Sequence, residues 1–188
     1  MNPLASVAPP QKSIIVGEVF ASDQPALVST VLGSCVAACM FDPSRRVGGM
    51  NHFMLPDAKR PTASAAFGIH AMELLINRIM QLGGDRRRLQ AKVFGGANVL
   101  ALRGAEMQIG KRNVEFVTQF LADEGIPLVA QRVGGNCGVK LCFYTDTARA
   151  LVKPIPNRLL DETLQEEVAY LQHSRAAATP QPGAVTLF

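Results

Sequence analysis

Residues 32–56 read LGSCVAACMFDPSRRVGGMNHFMLP, and their pattern predicts a β-hairpin. Cys35 to Phe41 is a short apolar run, Asp42, Pro43 and Ser44 supply a turn, and Val47 to Leu55 is a second apolar run. Paired residues of an antiparallel hairpin keep a constant sum of numbers. Closing the turn with Phe41 against Arg46 or Val47 sets Cys35 opposite His52 or Phe53. Directly opposed side chains lie about 4.5–5.5 Å apart at Cβ. A thiol and an imidazole are therefore expected to meet within one local motif.

Outward from the hairpin, the chain alternates strands and helices. Ser13 to Phe20 and Ala26 to Leu32 read as strands, the second carrying hydroxyls at Ser29 and Thr30 before a break at Gly33-Ser34. Asp57 to Ala65 reads as a loop. A helix follows from Phe67 or Gly68, with Met72, Leu75, Ile76, Ile79 and Met80 as its apolar stripe and His70, Glu73, Asn77 and Gln81 on its polar side. Gly83-Gly84 ends it. Gln90 to Phe94 is a strand, Arg112 to Asp123 a helix stopped by Glu124-Gly125, and Ile126–Val133, Val139–Tyr144 and Ala148–Lys153 are strands. Asn157 to Ser174 reads as a helix with Leu160, Leu164, Val168 and Leu171 on one side. Glu162, Glu166 and Glu167 form its polar face. This organisation predicts a flexible tail over 1–12, one domain over 13–156, and a C-terminal helix with a mobile tail over 157–188.

Composition narrows the function classes. Hydrophobic residues make up 48% of the 188 and charged residues 18%, which suits a globular core. No apolar run reaches the roughly 18 residues of a membrane span, and the N-terminal residues lack a secretory pattern, so a cytoplasmic protein without membrane insertion is expected. The net charge of +4 comes with no Trp and two Tyr. Nucleic-acid binding needs a basic stripe with exposed aromatics, so Arg45–Arg46 and Arg86–Arg88 are read as solvated faces. Cys35 and Cys39 are spaced C-x3-C, and Cys137 and Cys142 C-x4-C, unlike zinc-ribbon pairs. On a strand the first pair would lie about 13 Å apart. Cys39, Cys137 and Cys142 are therefore expected to be buried apolar cysteines, with no metal.

Cys35 stands apart because it follows a glycine break where backbone can approach a substrate. A nucleophilic thiol needs a base and donors for the developing oxyanion. His52 is the histidine in an apolar strand, and the backbone N–H groups near Gly33, Ser34 and Cys35 are candidate oxyanion donors. A third group must orient the imidazole. Ser29 serves if the strand runs unbroken through Gly33, and Thr30 serves if a bulge intervenes. Phosphate-loop and H-E-x-x-H patterns do not occur.

The runs Leu32–Ala37 and Gly48–Pro56 closely resemble the CheD family of chemoreceptor glutamine deamidases. Phe67-Gly68, Ala71-Met72-Glu73, Ala91–Ala97, Ile109–Val114 and Val133-Gly134-Gly135 extend the resemblance over about residues 13–153. It implies an α+β fold of packed β-sheets with helices outside, a layered sandwich like that of deamidating toxins. It also implies a cysteine hydrolase that converts receptor glutamine to glutamate without a cofactor. The nucleophile maps onto Cys35 and the histidine onto His52, while the family's threonine falls on Ser29 or Thr30. Implied partners are the cytoplasmic domains of chemoreceptors and a CheC-like phosphatase. A binding protein for such a phosphatase is the alternative function, and a structural domain with buried cysteines is a third. Gly138-Val139 and Thr147-Ala148 depart from the family pattern, which often has Gly-Arg at the first and Thr-Gly at the second.

Overall fold

The computed structural model describes residues 8–56, 61–99, 108–156 and 159–177. The quoted stretch forms β4 (Val36–Asp42) and β5 (Val47–Asn51), joined by the expected turn. Every residue of β4 is buried. Ala37, Cys39 and Phe41 face a core between two sheets, whereas Val36, Ala38 and Met40 face a core under the helices. Alternation of side chains along a strand sends a wholly apolar sequence to both faces, so this strand occupies the centre of the molecule.

The five-stranded sheet has the order β2 (Val19–Ser22), β5, β4, β6 (Gln90–Gly95), β7 (Leu128–Val133). The four-stranded sheet has the order β1 (Gln11–Ser13), β3 (Leu27–Leu32), β8 (Gly138–Tyr144), β9 (Ala150–Ile155). Helices α1 (Pro61–Gln81) and α2 (Ile109–Asp123) cover the outer face of the five-stranded sheet. Leu160, Leu164 and Leu171 of the C-terminal segment, which ends in α3 (Asp161–Ala177), join the core between the sheets. The expected α+β layered sandwich is the architecture observed.

Several boundaries differ from the expectations, each for a local reason. The predicted strand Ser13–Phe20 splits at Gly17, whose φ of 89° turns the chain. Its first part belongs to β1, parallel to β3, and its last part to β2 in the other sheet. Gln11 and Lys12, expected in the tail, are thus paired residues of β1. Helix α1 begins at Pro61 rather than near Phe67, because proline is tolerated in a first turn and the alanines after it favour helix. Met72, Leu75, Ile76 and Ile79 are buried as the stripe requires, but Met80 is 41% exposed at its margin. Cys39 is buried, whereas Cys137 is exposed and Cys142 half-buried. Ala148 adopts a φ of 55°, a conformation that suits the glycine expected there. Residues 1–7 and 178–188 of the predicted tails, Asp57–Arg60 of the predicted loop and Asn157–Arg158 of the predicted helix lie outside the described residues.

Within the arginine cluster Arg87 is solvated as expected, whereas Arg86 and Arg88 are half-buried and tie separate elements together. Arg86 pairs with Glu73 of α1 at 2.9 Å and with Glu124 at the end of α2 at 2.5 Å. Arg88 pairs at 2.7 Å with Asp42, a fully buried carboxylate that closes the β4–β5 turn. Asp42 also accepts N–H bonds from Ser44, Arg45 and Asp85. Burial acts to raise its pKa, but the Arg88 hydrogen bond and these N–H groups outweigh it and hold the carboxyl below its ordinary range. Asp42→Ala removes the acceptor and orphans several buried donors. It is expected to destabilise the fold by about 3 kcal/mol, read from the urea unfolding midpoint.

Candidate active site

Gly33, Ser34 and Cys35 link the two sheets, joining β3 of one to β4 of the other. All three carbonyls of this link are tied down on the outer side. Gly33 O accepts from Ala97 N at 3.0 Å, Cys35 O from Gly96 N at 2.7 Å, and Ser34 O from the buried Asn113 Nδ2 at 2.8 Å. Asn113 is itself fixed by accepting from Leu55 N at 2.9 Å. With the carbonyls so held, the three N–H groups turn inward and converge on one acceptor, the carboxylate of Glu167. Gly33 N and Cys35 N donate to its Oε1 at 2.9 and 3.1 Å, and Ser34 N donates to Oε2 at 3.0 Å. Successive N–H groups aimed at one point form an anion site. Glycine at 33 is required sterically, because a Cβ there would sit 2.9 Å from Glu167 Oε1 and 3.0 Å from Val99 Cγ2.

Cys35 Sγ, a His52 ring nitrogen and a Glu167 oxygen all lie within 4.8 Å of one another, and all three residues are buried. The expected meeting of Cys35 and His52 is therefore present, but the register is not the one expected. Asp42 pairs with Val47 and Val36 bridges Phe53, so the constant sum places Ala37, not Cys35, across from His52. Cys35 and His52 are diagonal neighbours on the face toward the other sheet. Closure of the turn by Asp42 and Val47, rather than by Phe41 with Arg46 or Val47, accounts for the slip. Diagonal neighbours remain within reach of long side chains.

The choice between the two hydroxyls is made by strand alternation. Thr30 is buried and faces the core between the sheets, whereas Ser29 faces away and is half-buried. Thr30 Oγ1 lies 2.8 Å from His52 Nδ1 and donates to Ile14 O at 2.7 Å. A hydroxyl has one proton, and here it goes to the Ile14 carbonyl, so Thr30 accepts from Nδ1–H. The second ring nitrogen, Nε2, then carries the lone pair. It is buried and, among the described residues, has no hydrogen-bond partner. The backbone of His52 is held from both sides, its N donating to Glu18 O at 3.0 Å and its O accepting from Gly17 N at 2.7 Å.

Burial lowers the His52 pKa to about 3, so the ring is neutral over the ordinary pH range. Burial, then the neighbouring Glu167 carboxylate, pushes the Cys35 thiol well up, so it is protonated and hydrogen-bonded to Glu167. Burial likewise raises the Glu167 pKa, opposed by the Cys35, Ser34 and Gly33 N–H groups and the Cys35 thiol. Sulfur, imidazole and carboxylate are also donors that zinc accepts. The three N–H dipoles, however, present their positive ends at the carboxylate, an environment built for an anion rather than a cation.

The sequence pattern puts Glu167 on the polar face of the helix with Glu162 and Glu166, but in the fold it is buried. The signal was in the spacing. Glu167 lies three residues after Leu164 and four before Leu171, on the stripe that α3 buries. A carboxylate at a core position of an amphipathic helix needs a buried partner, and the N–H groups of Gly33 to Cys35 provide it.

The fold and this centre define a two-sheet α+β protein built around a buried cysteine–histidine pair with an adjoining anion site. Residues 54–154 match the family described as CheD chemotactic sensory transduction. The chain is 43% identical over 93% of its length to the probable chemoreceptor glutamine deamidase CheD of Laribacter hongkongensis, covering 86% of that protein. It is 44% identical over 90% of its length to the protein of the same name from Rhizobium leguminosarum bv. trifolii, covering 90% of it. The chain belongs to the CheD family. Thr30, Cys35 and His52 precede the matched family segment. Among solved structures, the Bacillus licheniformis hypothetical protein YfiH gives a TM-score of 0.38 at 16% identity, over 63% of this chain and 49% of that one.

The depressed His52 pKa has a consequence for stability. Between its ordinary 6.5 and about 3, the unfolded chain binds a proton at this residue that the folded chain does not. Stability contributed by the neutral ring is therefore full above pH 6.5 and declines as pH falls toward 3. His52→Gln is expected to flatten the pH dependence of the urea midpoint across that window.

Proposed function

We propose that the chain is a cysteine hydrolase that deamidates glutamine side chains of chemoreceptor cytoplasmic domains, the activity carried in the names of its relatives. The observation that supports this best is the convergence of three backbone N–H groups on one carboxylate beside a thiol and an imidazole. A glutamate carboxylate is the product of glutamine hydrolysis, and the site holds one.

In the reaction, Cys35 sulfur attacks the carboxamide carbon after its proton passes to His52 Nε2, the ring nitrogen that carries the lone pair. Negative charge gathers on the former carbonyl oxygen, where the N–H groups of Gly33 and Cys35, which now share Glu167 Oε1, receive it. Donors of this kind are worth roughly 10²–10³ in rate each. The His52 proton moves to the nitrogen, ammonia leaves, and a thioester remains on Cys35. His52 then takes a proton from water, whose oxygen attacks the thioester, and glutamate departs with the thiol restored. Thr30 acts as a positioning residue, because its hydrogen bond to Nδ1 keeps Nε2 free for both proton transfers. Activity of this kind belongs in the cytoplasm, and no helix among the described residues is long and apolar enough to cross a membrane.

The test is incubation with receptor cytoplasmic fragments, with glutamine-to-glutamate conversion followed by peptide mass spectrometry. Cys35→Ala is expected to abolish conversion, and an unchanged rate in that variant overturns the assignment. Thr30→Val keeps the side-chain shape and removes the hydroxyl, so kcat is expected to fall about 10²-fold with little change in KM. Thr30→Ser is expected to restore most of the loss.

A further inference from the structure

The N–H groups that the mechanism reserves for substrate are occupied, in the chain as it folds, by the chain's own Glu167. We infer that α3 is a built-in product mimic: Glu167 stands where the glutamate product would lie, and a substrate glutamine enters only after α3 lifts. This inference rests on the deamidase reading of the site.

Hydrogen-bond chemistry identifies the occupant as product-like rather than substrate-like. Both Glu167 oxygens accept N–H bonds, two at Oε1 and one at Oε2. A carboxamide offers one acceptor oxygen and a donor NH2, so it leaves the Ser34 N–H facing another donor. Only a carboxylate satisfies all three. The position also closes the site, since Cys35 is 0% and His52 3% exposed. Entry of any glutamine side chain requires Glu167 to leave first.

The helix that delivers Glu167 is anchored around the site it fills. Leu164 and Leu171 flank the glutamate on the buried stripe and pack into the core between the sheets. The Tyr170 ring lies against Gly17, whose N–H holds the His52 carbonyl. Arg175 Nε donates to Pro56 O at 2.8 Å, at the end of the segment that follows His52. Helix α3 also lies C-terminal to the 54–154 segment that matches the family. The Glu167 charge opposes a thiolate at Cys35, so the bound helix holds the nucleophile in its unreactive form as well as out of reach.

The test uses full-length protein and the variants Glu167→Ala and Glu167→Gln, with two readouts. Alkylation of Cys35 by iodoacetamide, located by peptide mass spectrometry, reports opening of the site independently of any substrate. Deamidation of receptor fragments reports catalysis. Both rates are expected to rise about tenfold or more in Glu167→Ala. Unchanged alkylation and unchanged turnover overturn the inference while leaving the deamidase reading intact. Faster alkylation with no deamidation by any of the proteins overturns the deamidase reading instead.

The isosteric Glu167→Gln variant tests the position of the side chain directly and keeps the helix packing. Its new carboxamide is expected to undergo the reaction itself. Cys35 sulfur displaces ammonia to give an intramolecular thioester, and water then releases the carboxylate and the thiol. Mass spectrometry is expected to find the acid regenerated at residue 167, with one equivalent of ammonia, and to find the amide retained when Cys35→Ala is added. An amide that persists while the same protein turns over added receptor fragment overturns the product-mimic assignment.

Discussion

The short link from Gly33 to Cys35 governs the rest of the molecule, because every polar group of its backbone has an assigned direction. Three carbonyls point to Ala97, Gly96 and Asn113, and three N–H groups point to Glu167. Buried backbone groups must be paired, so a link passing between two sheets has few permissible arrangements. The glycines at 95 and 96, both at positive φ, bring the end of β6 close enough to accept the role of outer partner. The helix α2 contributes through Asn113, which joins the link to Leu55 and so to the segment carrying His52. Fold and site are thus one hydrogen-bonding problem with one solution. The sheets position the carbonyl partners, and the N–H groups are left to the Glu167 carboxylate.

Much of this was legible in residues 32–56. A wholly apolar strand followed by a turn and a second apolar strand located the centre of the five-stranded sheet and placed Cys35 near His52. The register could not be read with the same certainty, since Asp42 and Val47 rather than Phe41 close the turn. That slip of one or two residues changed an opposed pair into a diagonal one without separating the side chains. Thr30 could not be distinguished from Ser29 by alternation within the strand, because the glycine break interrupts the count from Cys35. What distinguishes them is the other sheet: β3 pairs with β1 and β8, and its inward residues are Val28, Thr30 and Leu32. The β8 partners lie more than a hundred positions away, and the pairing has no local signature.

The carboxylate was missed for a related reason. Acidic residues on a helix are usually solvated, and Glu162 and Glu166 are. Glu167 differs only in its phase relative to Leu164 and Leu171. Its partner lies 132 to 134 residues earlier in the chain, in three backbone N–H groups that carry no side-chain identity. Sequence patterns reveal side chains readily and backbone donors hardly at all. The same limit applies to Arg86 and Arg88, whose partners Glu73, Glu124 and Asp42 come from separate elements.

The leucines beside Glu167 set a threshold for whatever displaces it. Exposing Leu160, Leu164 and Leu171 together costs up to about 6 kcal/mol at about 2 kcal/mol for each buried side chain. At about 1.4 kcal/mol per tenfold, the open form would be populated at roughly one part in 10⁴. A peptide with nanomolar intrinsic affinity would then bind in the range of about ten micromolar. Stray glutamines on unrelated proteins, with only a side chain to offer, fall far short of that threshold. A helix that presents both a glutamine and its own apolar stripe replaces what α3 gives up, and discrimination arises from competition rather than from the shape of a pocket.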